Sequence, residues 1–276
     1  MRPTCPARRP RKILRREGWI IIRAREVQEL LVGLSPPLGG EEGFRLGDPD
    51  LEVAGVLVTW MATREAIQAA ADNGCNLLVC HEDPFFPYSG SGALETSITW
   101  RVNRERIGLC VGHGITVLRA HGTLDRLCVV DEFARAAGLC GDVVSEGLAR
   151  TFTLPEIAVG ELAARVRDNL GLRRLRVVGD LRRRITRVGV AVGGIGLSFN
   201  IGFWQTLLRH GAEVVLSGES DEYAMRYALD SDIAVIETTH PVSENPGLRR
   251  FCEIVRERLP GVRVEFFECG VPWQEV

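Results

Sequence analysis

Of the 34 lysines and arginines in this 276-residue chain, only Lys12 is a lysine. That scarcity removes whole mechanisms. A P-loop needs its lysine inside a glycine-rich turn, and pyridoxal-phosphate or Schiff-base chemistry needs a lysine in the core. Lys12 lies in a Pro/Arg-rich tail and can serve neither; the arginine bias itself is expected to reflect codon usage in a GC-rich genome rather than function. Long apolar runs are missing too: WIII and LLVC are each cut short by polar or charged residues, far below the ~20 needed to span a bilayer. The eight cysteines form no C-x-x-C pair and show no zinc-knuckle spacing. With no secretory signal peptide, they are expected to be reduced and mostly buried, in a cytoplasmic protein. Cys80, at the end of an apolar strand, is expected to pack inward rather than act as a ligand.

With 45% apolar residues the chain can bury a full core. Charge is unevenly placed. Seven cations against Glu17 give residues 1–18 a charge of +6, which leaves −8 on the body of a chain whose net charge is −2. The tail is expected to be a disordered extension, and an acidic body weighs against nonspecific nucleic-acid binding, which depends on neutralising phosphates.

From residue 19 onward, apolar β-branched runs alternate with helical patterns. The expected fold is α/β, with two α/β lobes (19–149 and 150–276) facing each other across a metal-binding cleft. Expected strands include 53–59, 76–80, 115–119, 186–192, 213–217, 233–237 and 262–266; expected helices include 63–73, 130–137, 160–169, 199–209, 222–229 and 247–258. Three of the five histidines directly follow strand-like runs: His81 after NLLVC, His121 after ITVLRA and His240 after AVIETT. In open α/β sheets, ligands bind at the carboxyl ends of the strands. His121 and His240 are each followed four residues later by a carboxylate, Asp125 and Glu244, and His81 has Glu82 beside it. Nitrogen and carboxylate donors converging from strand ends suit divalent first-row metals, and a carboxylate can bridge two of them. The alternative for each residue taken alone is a loop cap.

The ordered segments NLLVCHEDPFF, HGTLD, GGIGLS, SGES and THPVSE resemble the Nif-three-like dinuclear metal-centre family, also described as GTP cyclohydrolase type 2 homologues. The resemblance spans roughly residues 20–276. It implies metal ligands at His81, Glu82, Asp125, His240 and Glu244, with Glu82 standing where the family has a second histidine. It implies two divalent ions, of Mn, Fe, Zn or Mg, and the extra carboxylate should suit Mn, Fe or Mg better than an all-nitrogen set would. It places His121 beside the ligands, where His121 or Glu82 can transfer protons. Two further departures are Thr239, where the family has glycine, and SDEYAMR after the SGES turn. The implied activity is metal-dependent hydrolysis of a small phosphorylated or nucleotide-like molecule; the rival is a non-catalytic metal-binding scaffold or regulator. Self-association as a ring-shaped homo-hexamer is implied in either case.

GGIGLS before a helix can cradle phosphate on backbone N–H groups. His113 and His210 read as turn and helix-end residues. Phe85, Phe86 and Tyr88 can pack in the core or line the cleft.

Overall fold

The computed structural model describes residues 15–16, 19–36, 40–88 and 97–274. Most of the basic tail therefore lies outside the described residues; Arg15–Arg16 (β1) pairs with Trp19–Ile20 (β2) as a small antiparallel ribbon. Among the described residues, no helix is long and apolar enough to cross a membrane.

Two sheets form the body. The first is built from β3 (Gly43–Leu46), β4 (Gly55–Thr59), β5 (Leu77–Cys80), β6 (Thr116–Arg119) and the chain's last strand. The second holds β7 (Val143–Glu146), β8 (Ala149–Ala158), β9 (Arg176–Val178), β10 (Arg184–Ala191), β11 (Val214–Ser217) and β12 (Ala234–Glu237). With β13 (Arg263–Phe267), the first sheet runs β13-β4-β5-β6-β3 and the second β7-β8-β10-β11-β12-β9. Each has a parallel centre and antiparallel strands at one or both edges. The expected boundary at 149/150 would put β13 in the second lobe. Instead it pairs with β4 over Arg263–Gly55 to Phe267–Thr59, so the chain returns to the first sheet to finish.

The parallel strands are apolar on both faces, as they must be when helices cover both sides. Val56, Val58, Leu77, Val79 and Leu118 face one large core, together with Val188, Val190, Val214, Leu216 and Ile236 of the second sheet. The alternate residues Leu57, Leu78 and Val117 face a separate cluster, and Val215 and Val235 a third. The two sheets thus share a central hydrophobic layer. Helices α1 (Ala24–Leu34), α5 (Val130–Ala136), α6 (Val159–Asn169) and α9 (His240–Arg258) fill it. The outer faces carry α2 (Arg64–Asp72) and α3 (Arg101–Gly112) on one side, α7 (Ile201–Arg209) and α8 (Glu222–Asp230) on the other.

Local chemistry sets these boundaries. Thr63 Oγ1 accepts the Ala66 N–H at the start of α2, and Gly74, at φ +64°, follows its end. Asp221 caps α8 by accepting from Ala224 N. The largest difference from expectation is α9, which begins at His240 rather than residue 247 and carries Pro246 in its interior. Pro241 is at home in a first helical turn, where its missing N–H is not needed, whereas Pro246 removes one N–H from the helix ladder.

Candidate metal centre

Every candidate ligand leaves the carboxyl end of a strand or the first turn that follows it. β5 delivers His81 and Glu82, and β6 delivers His121. A single helical turn, α4 (Gly122–Leu124), then places Asp125 at the head of a π turn, Asp125–Val129. β12 leads through Thr238 and Thr239 into α9, where His240 and Glu244 share a face at i, i+4. Starting α9 at His240 is what brings those two side chains together.

The five candidates converge. His81 Nε2 lies 3.3 Å from Asp125 Oδ1 and 3.5 Å from Glu244 Oε2. His240 Nε2 lies 3.1 Å from Glu82 Oε1 and 3.2 Å from Glu244 Oε1. One carboxylate therefore faces two donor sets with its two oxygens. His81, Asp125 and Glu244 form one group able to hold a cation, and Glu82, His240 and Glu244 another, each with its ligand atoms within 4.8 Å of one another. A third such group, His81, Glu82 and His121, lies beside them. His121 is more loosely placed, its Nε2 3.9 Å from Glu82 Oε1. Asp125 falls only in the first group, so Glu244 is the residue that spans both sets.

Their surroundings fit cations. His81, Glu82, Asp125 and Glu244 are buried, yet His81 Nε2, Asp125 Oδ1 and His240 Nε2 have no hydrogen-bond partner among the described residues. Their neighbours are at ion-pair distance but not in hydrogen-bond geometry. Orphaned buried polar atoms are costly unless something binds them. Each imidazole is oriented through its other nitrogen: His81 Nδ1 sits 3.0 Å from the Ala120 carbonyl, His240 Nδ1 3.0 Å from Glu219 Oε2, and His121 Nδ1 3.0 Å from Glu41 Oε1. That arrangement fixes Nδ1 as the donor and turns each Nε2 toward the cluster.

Without a cation the cluster balances its charge with protons. Burial opposes charging His81, but the Glu244 and Asp125 carboxylates outweigh it and raise its pKa well above the ordinary value. For His240 burial is likewise outweighed, by Glu244, Glu219 and Glu82. Burial alone would raise Glu244, but His240 and His81 hold it far below the usual carboxylate range. Burial would also raise Glu82, and the His240 imidazole 3.1 Å away overcomes that to lower it. A divalent cation can replace these protons.

Several residues that complete the site carried no sequence signal. Trp60 Nε1 donates to Glu244 Oε2 at 2.8 Å, from just beyond β4. Glu42 accepts the backbone N–H groups of His121 and Thr123. Arg119, its side chain fully buried, donates to the His81 and Glu41 carbonyls and to Tyr88 Oη. Its guanidinium lies 3.6 Å from Asp83 and 3.9 Å from Glu82, so it balances the charge that Glu82 adds. Burial of the Cys80 thiol pushes its pKa to about 12, in keeping with a residue that packs inward.

The glycine loop has a packing role. Gly193, at φ +50°, would place a Cβ 1.8 Å from Glu244 Oε1. Its N–H donates to Ser243 Oγ, and the Ser198 N–H to Asp221, so these two amides are engaged within the protein rather than free for phosphate. Thr239, where the resemblance expects glycine, has φ +97°, a conformation that strains a β-branched residue. Its Oγ1 is buried with no hydrogen-bond partner among the described residues.

A cavity of about 600 Å³ opens onto the cluster, lined by Trp60, Tyr88, Ile195, Leu197, Phe199 and Asn200 as well as Glu82, His121, Asp125, His240 and Glu244. Of the three aromatics after β5, only Tyr88 lines it: Phe85 is buried, and Phe86 lies 4.8 Å from the Arg106 guanidinium. His113 and His210 cap the ends of α3 and α7.

Comparison with known proteins identifies the family and the fold. A Neisseria meningitidis protein named GTP cyclohydrolase 1 type 2 homolog is 29% identical over 228 residues, 80% of this chain and 86% of its own length. A protein of the same name from Methanothermobacter thermautotrophicus is 28% identical over 263 residues, covering 93% and 97%. The solved structure of a Bacillus cereus protein related to NIF3 superposes with a TM-score of 0.77 at 16% identity, over 93% of this chain and 99% of that one. Reduced HcgD from Methanocaldococcus jannaschii gives 0.70 at 20% identity, over 91% and 99%. The model of the Duf34/NIF3 (NGG1p interacting factor 3) family matches residues 39–271, and the chain belongs to that family.

Proposed function

We propose that this protein is a metal-dependent hydrolase with a dinuclear centre, in which His81, Asp125 and Glu244 hold one divalent ion and Glu82, His240 and Glu244 the other. The observation that carries the reading is the Glu244 carboxylate, whose two oxygens face two separate histidine–carboxylate sets. The oxygen-rich donors favour Mn, Fe or Mg, with Zn the softer option. Ions bound there supply Lewis acidity, which polarises substrate oxygens and makes water nucleophilic near neutral pH.

The chain's own residues supply the rest. Trp60 and Glu219 fix Glu244 and His240 in place. His121, with Nδ1 held by Glu41, turns Nε2 toward the cavity floor beside Glu82 and can take a proton from water or return one to a leaving group. A 600 Å³ cavity is of small-molecule size, and the relatives' name suggests a phosphorylated or nucleotide-like substrate. Homo-hexamer assembly and a cytoplasmic location complete the proposal.

The test is metal content per chain of protein purified without chelator, beside Asp125→Ala and His240→Ala. Near two ions in the wild type, lost in the variants, supports the centre and opens a screen for hydrolysis. A value near zero even after soaking in Mn and Zn overturns it.

A further inference from the structure

Floor and walls of this cavity differ in chemistry. The floor is the carboxylate–histidine cluster. The walls are mainly apolar or aromatic: Trp60, Tyr88, Ile195, Leu197 and Phe199, with Asn200 supplying a side-chain amide. Phe199 is 78% exposed and Tyr88 56%, so two large rings stand at the cavity without being needed in the core.

No lysine or arginine is among the described lining residues, in a chain with 34 basic residues. The internal segments outside the described residues, 37–39 and 89–96, contain none either. Arg119 reaches the back of Tyr88, but its guanidinium is buried and engaged with Glu41, Glu82 and Asp83. Phosphate chains are normally held by arginine or lysine clamps. Here two divalent ions would face the three carboxylates of Glu82, Asp125 and Glu244, leaving a formal charge of +1 in the ligand set, enough for one anionic head group and too little for a polyphosphate.

We infer that the cavity selects a planar aromatic molecule of low charge, its ring seated at Phe199 and Tyr88 and a single metal-seeking group turned to the floor, and that it rejects nucleoside triphosphates. This rests on the dinuclear reading for the head group, whereas the ring seat stands on the walls alone.

The experiment is equilibrium binding to the Mn-loaded full chain of benzohydroxamate and of acetohydroxamate, which share a head group and differ in the ring. Benzohydroxamate is expected to bind about tenfold tighter, the preference to shrink to about threefold or less in Phe199→Ala, and GTP at equal concentration to leave it bound. Equal affinity of the two hydroxamates, an undiminished preference in Phe199→Ala, or displacement by GTP overturns the inference. Metal content is measured on the same samples. If the wild type holds no Mn, the dinuclear reading falls separately, and naphthalene-2-carboxamide, which needs no ion, decides the ring seat. Saturable binding weakened by Phe199→Ala upholds the seat, and its absence overturns it.

Discussion

Replacing Gly193 with alanine tests the site's construction most directly. The new Cβ would lie 1.8 Å from Glu244 Oε1 and 2.7 Å from His240 Nε2. Real Cβ contacts stop near 3.0 Å, so the carboxylate or the loop must retreat by about 1.2 Å. Glu244 has little room to do so: it is 2% exposed, and its other oxygen is held by Trp60 Nε1. Metal–ligand distances tolerate roughly 0.2 Å, so the displacement is several times what coordination allows, and it falls on the one residue common to both donor sets. The φ of +50° adds a backbone penalty of roughly 1–2 kcal/mol for an L residue. For a chain of this size that lowers the Tm of metal-free protein by roughly 2–8 °C. The assay pairs metal content after dialysis with thermal melting in chelator. Gly193→Ala should lose nearly all bound metal and keep its fold. Gly194→Ala, whose Cβ would meet His240 Cε1 at an ordinary 3.4 Å, should retain it. A Gly193→Ala protein with wild-type metal content and affinity would refute the reasoning.

Other outcomes follow from the same geometry. Thr239→Gly relieves a threonine at φ +97° and removes a buried, unpartnered hydroxyl; it should stabilise the protein by about 1 kcal/mol with metal content unchanged, and a lower denaturation midpoint would count against strain there. Arg119→Met leaves buried carboxylates without their cation and should cost roughly 3–5 kcal/mol. Adding Glu82→His should restore part of that loss, and strict additivity in the double-mutant cycle would break the proposed coupling. The pH dependence has a definite sign. His81 and His240 have raised pKa values in the metal-free fold, so the stability their protonation contributes is fully present below 6.5 and fades as pH rises through the raised values. Metal binding, which displaces those protons, strengthens in the same direction. Calorimetry at pH 7 in buffers of different ionisation heat should therefore show proton release on metal binding; none would mean the imidazoles are already neutral.

The parallel strands were legible because they are apolar on both faces and bracketed by glycine-ended helices: β4, β5, β6 and β10 to β12 fall within a residue or two of their expected ranges. β3 and β7 were not. They are short edge strands, and every residue of β7 is exposed, so neither shows burial periodicity. Pro241 and Pro246 disguised the first turns of α9, since proline reads as a helix boundary when its neighbours are unknown. The return of β13 to β4 was hidden for another reason: partners some 200 residues apart leave no local trace. At the site, strand-end position pointed to His81, His121 and His240 and the four-residue spacing to Asp125 and Glu244, while the choice of ligands among them rested on the family resemblance. Trp60, Glu219 and Glu41 act from other segments through single hydrogen bonds, to Glu244, His240 and His121 respectively, which no spacing rule announces. Thr239 stood out only as a departure from family pattern, and its positive φ supplies the physical meaning.

The late return of the chain to its first sheet also imposes an order on synthesis. β4, β5 and β6 leave the ribosome early, carrying His81, Glu82 and, shortly after, Asp125, while the edge of β4 waits uncovered for β13. An unpaired apolar strand edge is open to wrong partners for as long as it waits. His240 and Glu244 stand at the head of the helix that leads directly into that covering strand. The cluster can therefore close only when the segment that seals the sheet is being made, so a nascent chain cannot bring His240 and Glu244 to His81, Glu82 and Asp125 before its first sheet is almost complete.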